Sequence, residues 1–179
     1  PTGLATGDFN GDDIIDLAVA CGLDNAMNIL FGTGTGNFIN GLTLITGENP
    51  MLVSVAELDG DGNDDIIVAN QFSDTVSVWY GNGNGSFDVR DDFAAGDGAL
   101  AVGVVHFDGD PLYDLIVSNW QADSISLLSG VTSPAGSFVE VGSFFTGDGP
   151  SRPVIADFDG DGILDVVVAS RGGDSVAIL

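Results

Sequence analysis

Apolar residues in this chain fall into short runs, and no stretch repeats them at a helical interval. Four runs are nearly continuous: Leu17 to Ala20, Ile66 to Ala69, Leu115 to Ser118 and Val166 to Ala169. Runs this short and this uniformly apolar, bounded by turn residues, predict strands buried on both faces. Ahead of each lies another strand, as in LVSVAEL from Leu52 to Leu58. Behind each lies an alternating one, with Val76, Val78 and Tyr80 set against Ser77 and Trp79. That third strand runs into a hairpin: GTGTGNF from Gly32, GNGNGSF from Gly81 or GVTSPAGSF from Gly130. Its glycines permit positive φ. A weaker fourth strand follows at Phe38 to Ile45, Phe87 to Phe93 and Phe138 to Phe145. The reading is all-β.

The four-strand pattern is an internal repeat. DFNGDDIIDLAVA from Asp8, ELDGDGNDDIIVAN from Glu57, HFDGDPLYDLIVSN from His106 and DFDGDGILDVVVAS from Asp157 begin 49, 49 and 51 residues apart. The hairpin from Gly130 is two residues longer than its counterparts, which accounts for the last interval. Four strands in about 50 residues match a blade of a β-propeller. The expected organisation is one partial propeller with units 1–49, 50–98, 99–149 and 150–179, the last stopping after its third strand. About three and two-thirds blades do not close a ring, since propellers use about four to eight. Part of a larger propeller is therefore expected, completed by other blades of a parent chain or by another copy.

Between the first and second strands of every unit lies an acidic loop with oxygen donors at its first, third, fifth and ninth positions. The first loop offers Asp8, Asn10, Asp12 and Asp16, the second Glu57, Asp59, Asp61 and Asp65, and the fourth Asp157, Asp159, Asp161 and Asp165. Alternate spacing in a tight loop turns successive side chains toward one centre, and the seventh-position carbonyls of Ile14, Asn63 and Ile163 add a further oxygen. Six or seven oxygens suit Ca2+ better than Mg2+, which keeps its waters and a strict octahedron. Zinc would want nitrogen or sulfur. Two carboxylates about 4 Å apart repel by roughly 4 kcal/mol at an effective dielectric near 20, so three or four together need a cation. An EF-hand, the obvious competitor, ends in Glu at position twelve, where these loops hold Val19, Val68 or Val168.

The loops are not equal. Gly62 and Gly162 supply a permissive backbone after position five of the second and fourth loops. The first loop has Asp13 there and is intermediate. The third has His106 at position one and Pro111 in place of that glycine, leaving Asp108, Asp110 and Asp114. Calcium is thus expected at three loops, and the stretch from His106 to Asp114 is expected to be weakened or empty.

Composition sharpens the case. Twenty-seven Asp and Glu stand against three cations, Arg90, Arg152 and Arg171, giving a net charge of −24. Sixteen of those acids lie in the four loops, so the clustering is local. Such a charge repels nucleic acid and anionic membranes. Hydrophobic residues make up 44%, which a disordered acidic tail does not have. No apolar run approaches a membrane span and no leader precedes the first strand, while Pro1 at the start suggests processing or truncation. Cys21 is the only cysteine and stands where the other units have Asn70, Asn119 and Ser170, a small structural position. One His, no Lys and a lone Cys in a strand end supply no general base, Schiff-base amine or paired nucleophile, so no enzyme is expected. Asn84-Gly85-Ser86 is a glycosylation triplet at a hairpin tip.

These loops, with the FGTGTGNF and YGNGNGSF hairpins, resemble the FG-GAP repeat, also described as the VCBS repeat, of integrin α-subunit propellers and many secreted bacterial proteins. Some fungal lectins look similar. The likeness runs the whole length of the chain, and its carrier is the pattern Asp-x-Asp-Gly-Asp-Gly-x-x-Asp. It implies a propeller, commonly of seven blades, with calcium between the first and second strands. The family's ligand positions carry over to loops one, two and four, while His106 and Pro111 depart from the pattern.

The loops between the second and third strands lie at the opposite end of each blade. They read CGLDN, NQFSD, NWQAD and SRGGD and close on Asn25, Asp74, Asp123 and Asp174, expected to cap their own turns. Phe72, Trp120 and Arg171 sit there, with Arg152 expected on the same rim, and form a possible ligand face. The expected function is an extracellular, calcium-bound module for adhesion or recognition of a protein or glycan. The alternative is a purely architectural or self-assembling propeller in a larger secreted assembly. Weak calcium sites, about 0.1 to 1 mM, fill outside cells, which sets the expected location.

Overall fold

A computed structural model describes residues 1–179, the side chain of Val89 excepted. Its strands make four antiparallel sheets in which spatial order follows chain order. The first sheet is β1 (Gly3–Gly7), β2 (Asp16–Cys21), β3 (Ala26–Gly32) and β4 (Phe38–Ile45). The second is β5 (Pro50–Ala56), β6 (Asp65–Asn70), β7 (Thr75–Gly81) and β8 (Phe87–Ala94). The third is β9 (Ala99–Val105), β10 (Asp114–Asn119), β11 (Ser124–Val131) and β12 (Ser137–Phe145). The last has three strands, β13 (Val154–Ala156), β14 (Asp165–Ser170) and β15 (Ser175–Ile178). Each sheet is a propeller blade, and the hydrophobic pattern locates all four strand types.

Successive blades pack face to face, with the first strands innermost: β5 lies against both β1 and β9. Side chains stitch these inner strands together, Thr2 Oγ1 donating to the Pro50 carbonyl at 2.5 Å and Ser54 Oγ to the Val102 carbonyl at 2.7 Å. One apolar cluster fills each junction. Met27, Ile29, Ile66 and Val68 meet between blades one and two; Ile67, Val78, Leu115 and Val117 between two and three; Ile116, Ile125, Val166 and Val168 between three and four. A fully buried Ile or Leu contributes about 2 kcal/mol, so these junctions are what hold the stack together.

Every residue of β6 and β10 is buried, as the continuous apolar runs predict. In β2 and β14 burial instead alternates. The sequence pattern expects all four to be covered on both sides. The difference is positional: blades one and four each face only one other blade of the chain, so one side of their second strand is open.

Candidate metal centre

Each acidic loop leaves the first strand of its blade and ends on the first residue of the second, where the position-nine acid sits. Its local fold is the same in every unit. The position-three side chains, Asn10, Asp59, Asp108 and Asp159, each accept the N–H of the residue two further on at 3.0 to 3.1 Å. The position-five side chain repeats this from Asp12, Asp61, Asp110 and Asp161 at 2.8 to 2.9 Å. These turns are the local preference of Asp and Asn, and they hold alternate carboxylates on one side of the loop. The next residue takes a left-handed backbone: Gly62 at φ 88°, Gly162 at φ 87°, and Asp13 at φ 62°. No neighbouring atom lies near either glycine's missing Cβ, so these two are required for φ and not for space.

The position-nine acids carry a task that the sequence does not reveal. Asp16, Asp65 and Asp114 are fully buried. In each, one carboxylate oxygen accepts the N–H of loop position two and the other accepts the N–H of the glycine that opens the hairpin after the third strand. For Asp65 these are Leu58 at 2.7 Å and Gly81 at 2.8 Å; for Asp16, Phe9 at 3.0 Å and Gly32 at 2.8 Å; for Asp114, Phe107 at 2.8 Å and Gly130 at 2.9 Å. Asp165 keeps only the first, from Phe158 at 2.8 Å. Position nine is therefore a latch between loop and hairpin as well as an oxygen donor at the loop's base.

Oxygens of Glu57, Asp59 and Asp61 lie within 4.8 Å of one another, as do those of Asp157, Asp159 and Asp165. Ligands at about 2.4 Å from a calcium ion lie within about 5 Å of each other, so the spacing in each group is compatible with a shared metal ion. Repulsion shows in their protonation. Burial, then the charges of Asp61 and Glu57, push the Asp59 carboxyl above its ordinary range. Burial, then Asp59 and Asp61, push Asp65 up to about 7 despite its two N–H partners. Among the described residues one ion pair forms, Arg90 with Asp92 at 2.6 Å, far from these loops in sequence.

Loop one brings Asp8, Asn10 and Asp12 together but satisfies them internally. Asp8 accepts from Gly11, Asp12 and Asp13 at 2.8 to 3.2 Å, and Asn10 Nδ2 donates to Asp12 at 3.2 Å. Burial opposes ionisation of Asp8, but the N–H groups of Asp13, Asp12, Gly11 and Asn10 outweigh it and hold the carboxyl below its usual range. Loop three departs from the oxygen pattern of the others. His106 Nδ1 lies 2.6 Å from the Leu112 carbonyl, which only accepts, so the ring nitrogen donates and takes up the position-seven oxygen. The ring stacks on Tyr113 with centroids 4.2 Å apart. The imidazole closes this loop with a hydrogen bond where its neighbours present two oxygens to each other.

At the opposite end of the blades the structure corrects two expectations. Asn25, Asp74 and Asp123 do take left-handed turns, at φ 51°, 54° and 53°. Their side chains, however, reach the segment that joins their own blade to the next: Asn25 accepts from Asn49 N–H at 2.9 Å, Asp74 from Gly98 at 2.7 Å and Asp123 from Gly149 at 2.8 Å. Their carbonyls accept from Thr46, Ala95 and Thr146. They are clips between blades, and only the repeated spacing hinted at a common role. Arg152 is the second correction. It does not join the loop rim but lines the concavity of the inner strands beside Pro153 and Gly103. Of the remaining rim residues, Phe72 is 62% exposed, while Trp120 is half-buried beneath the Arg171 guanidinium, 5.7 Å from its ring centroid.

The geometry thus defines a stack of propeller blades with an acidic loop at one end of each. Residues 8–68, 57–117 and 106–168 match the family model described as FG-GAP-like repeat, and the chain belongs to that family. None of the curated proteins matches it. Among solved structures it is similar to a putative 6-phosphogluconolactonase from Bacteroides uniformis at 13% identity and a TM-score of 0.70, over 99% of this chain and 49% of that one. A functionally unknown protein from Desulfotomaculum acetoxidans is similar at 16% identity and 0.62, over 98% and 55%. A lectin from Agrocybe aegerita that recognises non-reducing terminal N-acetylglucosamine is similar at 16% and 0.56, over 97% and 50%. The chain spans about half the length of these structures, and at such identities the likeness carries the fold. Among the described residues no helix is long and apolar enough to cross a membrane.

Proposed function

We propose that the chain is a calcium-binding, extracellular propeller module, organised as units 1–49, 50–98, 99–149 and 150–179, that serves adhesion or recognition of a protein or glycan. Calcium is held by the Glu57 to Asp65 and Asp157 to Asp165 loops, with the Asp8 to Asp16 loop as a weaker third site. The observation that carries the metal is the pair of carboxylate clusters with oxygens within 4.8 Å and, among the described residues, no ion pair to either cluster. When bound, the ion would offset the repulsion that, after burial, raises Asp59 and Asp65, and the loop backbone orients the oxygens toward it. Phe72 is the exposed aromatic group on the rim. The lectin-like neighbour supports a glycan as one class of partner.

A second reading, an architectural propeller, is favoured by the Trp120–Arg171 stack, which puts two of the rim's recognition-type side chains against each other. Absence of any binding on glycan arrays and in pull-downs would favour it. For the metal, isothermal titration of the chelated chain is expected to show saturable calcium uptake at two or three sites, with magnesium bound at least tenfold more weakly and one site lost in Asp159→Asn. Absence of uptake at millimolar calcium, or equal uptake of magnesium, would overturn the proposal.

A further inference from the structure

Acidic loops one and two touch through residues that both depart from the repeat. Position eight of the loop is Ile15, Tyr113 or Leu164 in blades one, three and four, but Asp64 in blade two. The residue ending the first strand is Ala56, Val105 or Ala156 in blades two, three and four, but Gly7 in blade one. These two departures meet. Asp64 Oδ2 accepts the Asp8 N–H at 3.0 Å. A Cβ on Gly7 would lie 2.7 Å from that same oxygen and equally near the Phe9 ring, so a larger residue there would force one of them to move. At the same position of the other loops Tyr113 stacks on His106 of its own loop, and Ile15 and Leu164 have no polar group to offer.

A second bridge runs through the hairpin that follows β7. Gly81 N–H donates to Asp65, the latch of loop two, at 2.8 Å, and Gly85 N–H donates to the Phe9 carbonyl of loop one at 2.8 Å. Phe9 is itself held through its N–H by Asp16, the latch of loop one. The hairpin tip lies against both loops: a Cβ on Gly83 would overlap Asn63 Oδ1, and one on Gly11 would lie 2.7 Å from the Gly83 carbonyl. The main chain at the first two positions of loop one is therefore fastened to loop two and to the hairpin that loop two supports.

On the reading that calcium fills these loops, we propose that Asp64 is a positioning residue that couples the metal sites of loops one and two, so that an ion in either raises the affinity of the other. Asp64 stands between Asn63 and Asp65, the position-seven and position-nine oxygen donors of its own loop. An ion that fixes those oxygens fixes the Asp64 carboxylate, and with it the backbone of Asp8, the first donor of loop one. Such coupling is reciprocal by thermodynamic necessity and typically about 5- to 150-fold. Two hydrogen bonds between the elements place it at the lower end, about five- to tenfold. Loop four, with Leu164 at position eight, should fill independently.

In loops one, two and four the glycine N–H at position four donates to the position-one carboxylate: Gly11 to Asp8, Gly60 to Glu57 and Gly160 to Asp157. These amides report the three sites separately in two-dimensional NMR of the chelated 179-residue chain titrated with calcium chloride. Asp61→Asn, which weakens loop two, should raise the calcium midpoint read at Gly11 by about five- to tenfold and leave that at Gly160 unchanged. In an Asp64→Leu background the same change should move Gly11 by less than about twofold, as it should beside Gly7→Ala, which crowds the Asp64 oxygen. Asp64→Asn, which keeps an acceptor oxygen, should preserve the coupling. A residue that only stabilises its blade would leave the effect of Asp61→Asn on Gly11 equal in all backgrounds, and that result overturns the proposal. If Gly60 and Gly160 respond to calcium but Gly11 does not, or Gly11 ignores Asp61→Asn, the coupling fails while calcium in loops two and four stands. No response at any of the three amides overturns both.

Discussion

Asp74 offers a direct test of the clips between blades. Its carboxylate accepts the Gly98 N–H at 2.7 Å, its carbonyl accepts from Ala95, and its φ is 54°. Three substitutions separate these features. Asp74→Asn keeps an acceptor oxygen and the tolerance for a left-handed backbone, and the first blade already uses Asn25 for the same bond at 2.9 Å. It should change stability by less than about 0.5 kcal/mol. Asp74→Gly loses the bond, about 1.5 kcal/mol at the lower end for a charged acceptor, and adds about 0.5 kcal/mol of unfolded-state entropy. Asp74→Ala loses the same bond and also the short polar side chain that lets Asp occupy the left-handed region, at about 1 kcal/mol more, for a total near 2.5 kcal/mol. At about 2 to 4 °C per kcal/mol for a chain of this size, Ala should lower Tm by about 5 to 10 °C and Asn by almost nothing. Urea unfolding followed by circular dichroism measures the series. If Asn costs as much as Ala, the bond to the segment joining the two blades is not what the residue contributes, and the assignment of a clip fails.

Other outcomes follow from the acidic loops. Asp65→Asn leaves one acceptor for two buried N–H groups, which should cost about 2 kcal/mol with or without calcium, and unfolding in chelator checks this. Burial and the neighbouring carboxylates raise Asp65 to about 7; a carboxyl raised on folding destabilises its charged form, so chelated protein should lose stability as pH climbs from about 4 to 7 and calcium should remove that loss. Urea midpoints at pH 4.5 and 7.5, with and without calcium, read the sign directly. The double change His106→Asp with Pro111→Gly frees the Leu112 carbonyl and restores the loop pattern, so calorimetry should count one more calcium per chain than in the parent.

Much of this architecture is legible in the sequence, because the blade is built from local features. Continuous apolar runs, alternating third strands and glycine hairpins each have a period and a boundary, and β6 and β8 lie where those patterns set them. The acidic loops are visible for the same reason, since Asp at alternate positions folds its own turn. What stays hidden depends on neighbours. Nothing in the strand from Asp165 to Ser170 says that one of its sides lacks a facing blade. The spacing of Asn25, Asp74 and Asp123 shows a shared role, but a contact 24 to 26 residues away is set by blade packing. Arg152 could be placed only once the first strands were known to line the inner concavity. His106 was legible as a departure from the oxygen pattern, whereas its bond to Leu112 required the loop's backbone.

Thermal unfolding of the chelated chain, titrated with calcium, addresses the central claim most directly. With two sites and calcium at ten times Kd, mass action adds about 1.4 kcal/mol per site, so Tm should climb saturably by about 5 to 12 °C. Magnesium at the same ionic strength should give a small part of that. A Tm that is the same in chelator and in 10 mM calcium, or that magnesium raises equally, would mean the carboxylate clusters are tolerated without a bound ion.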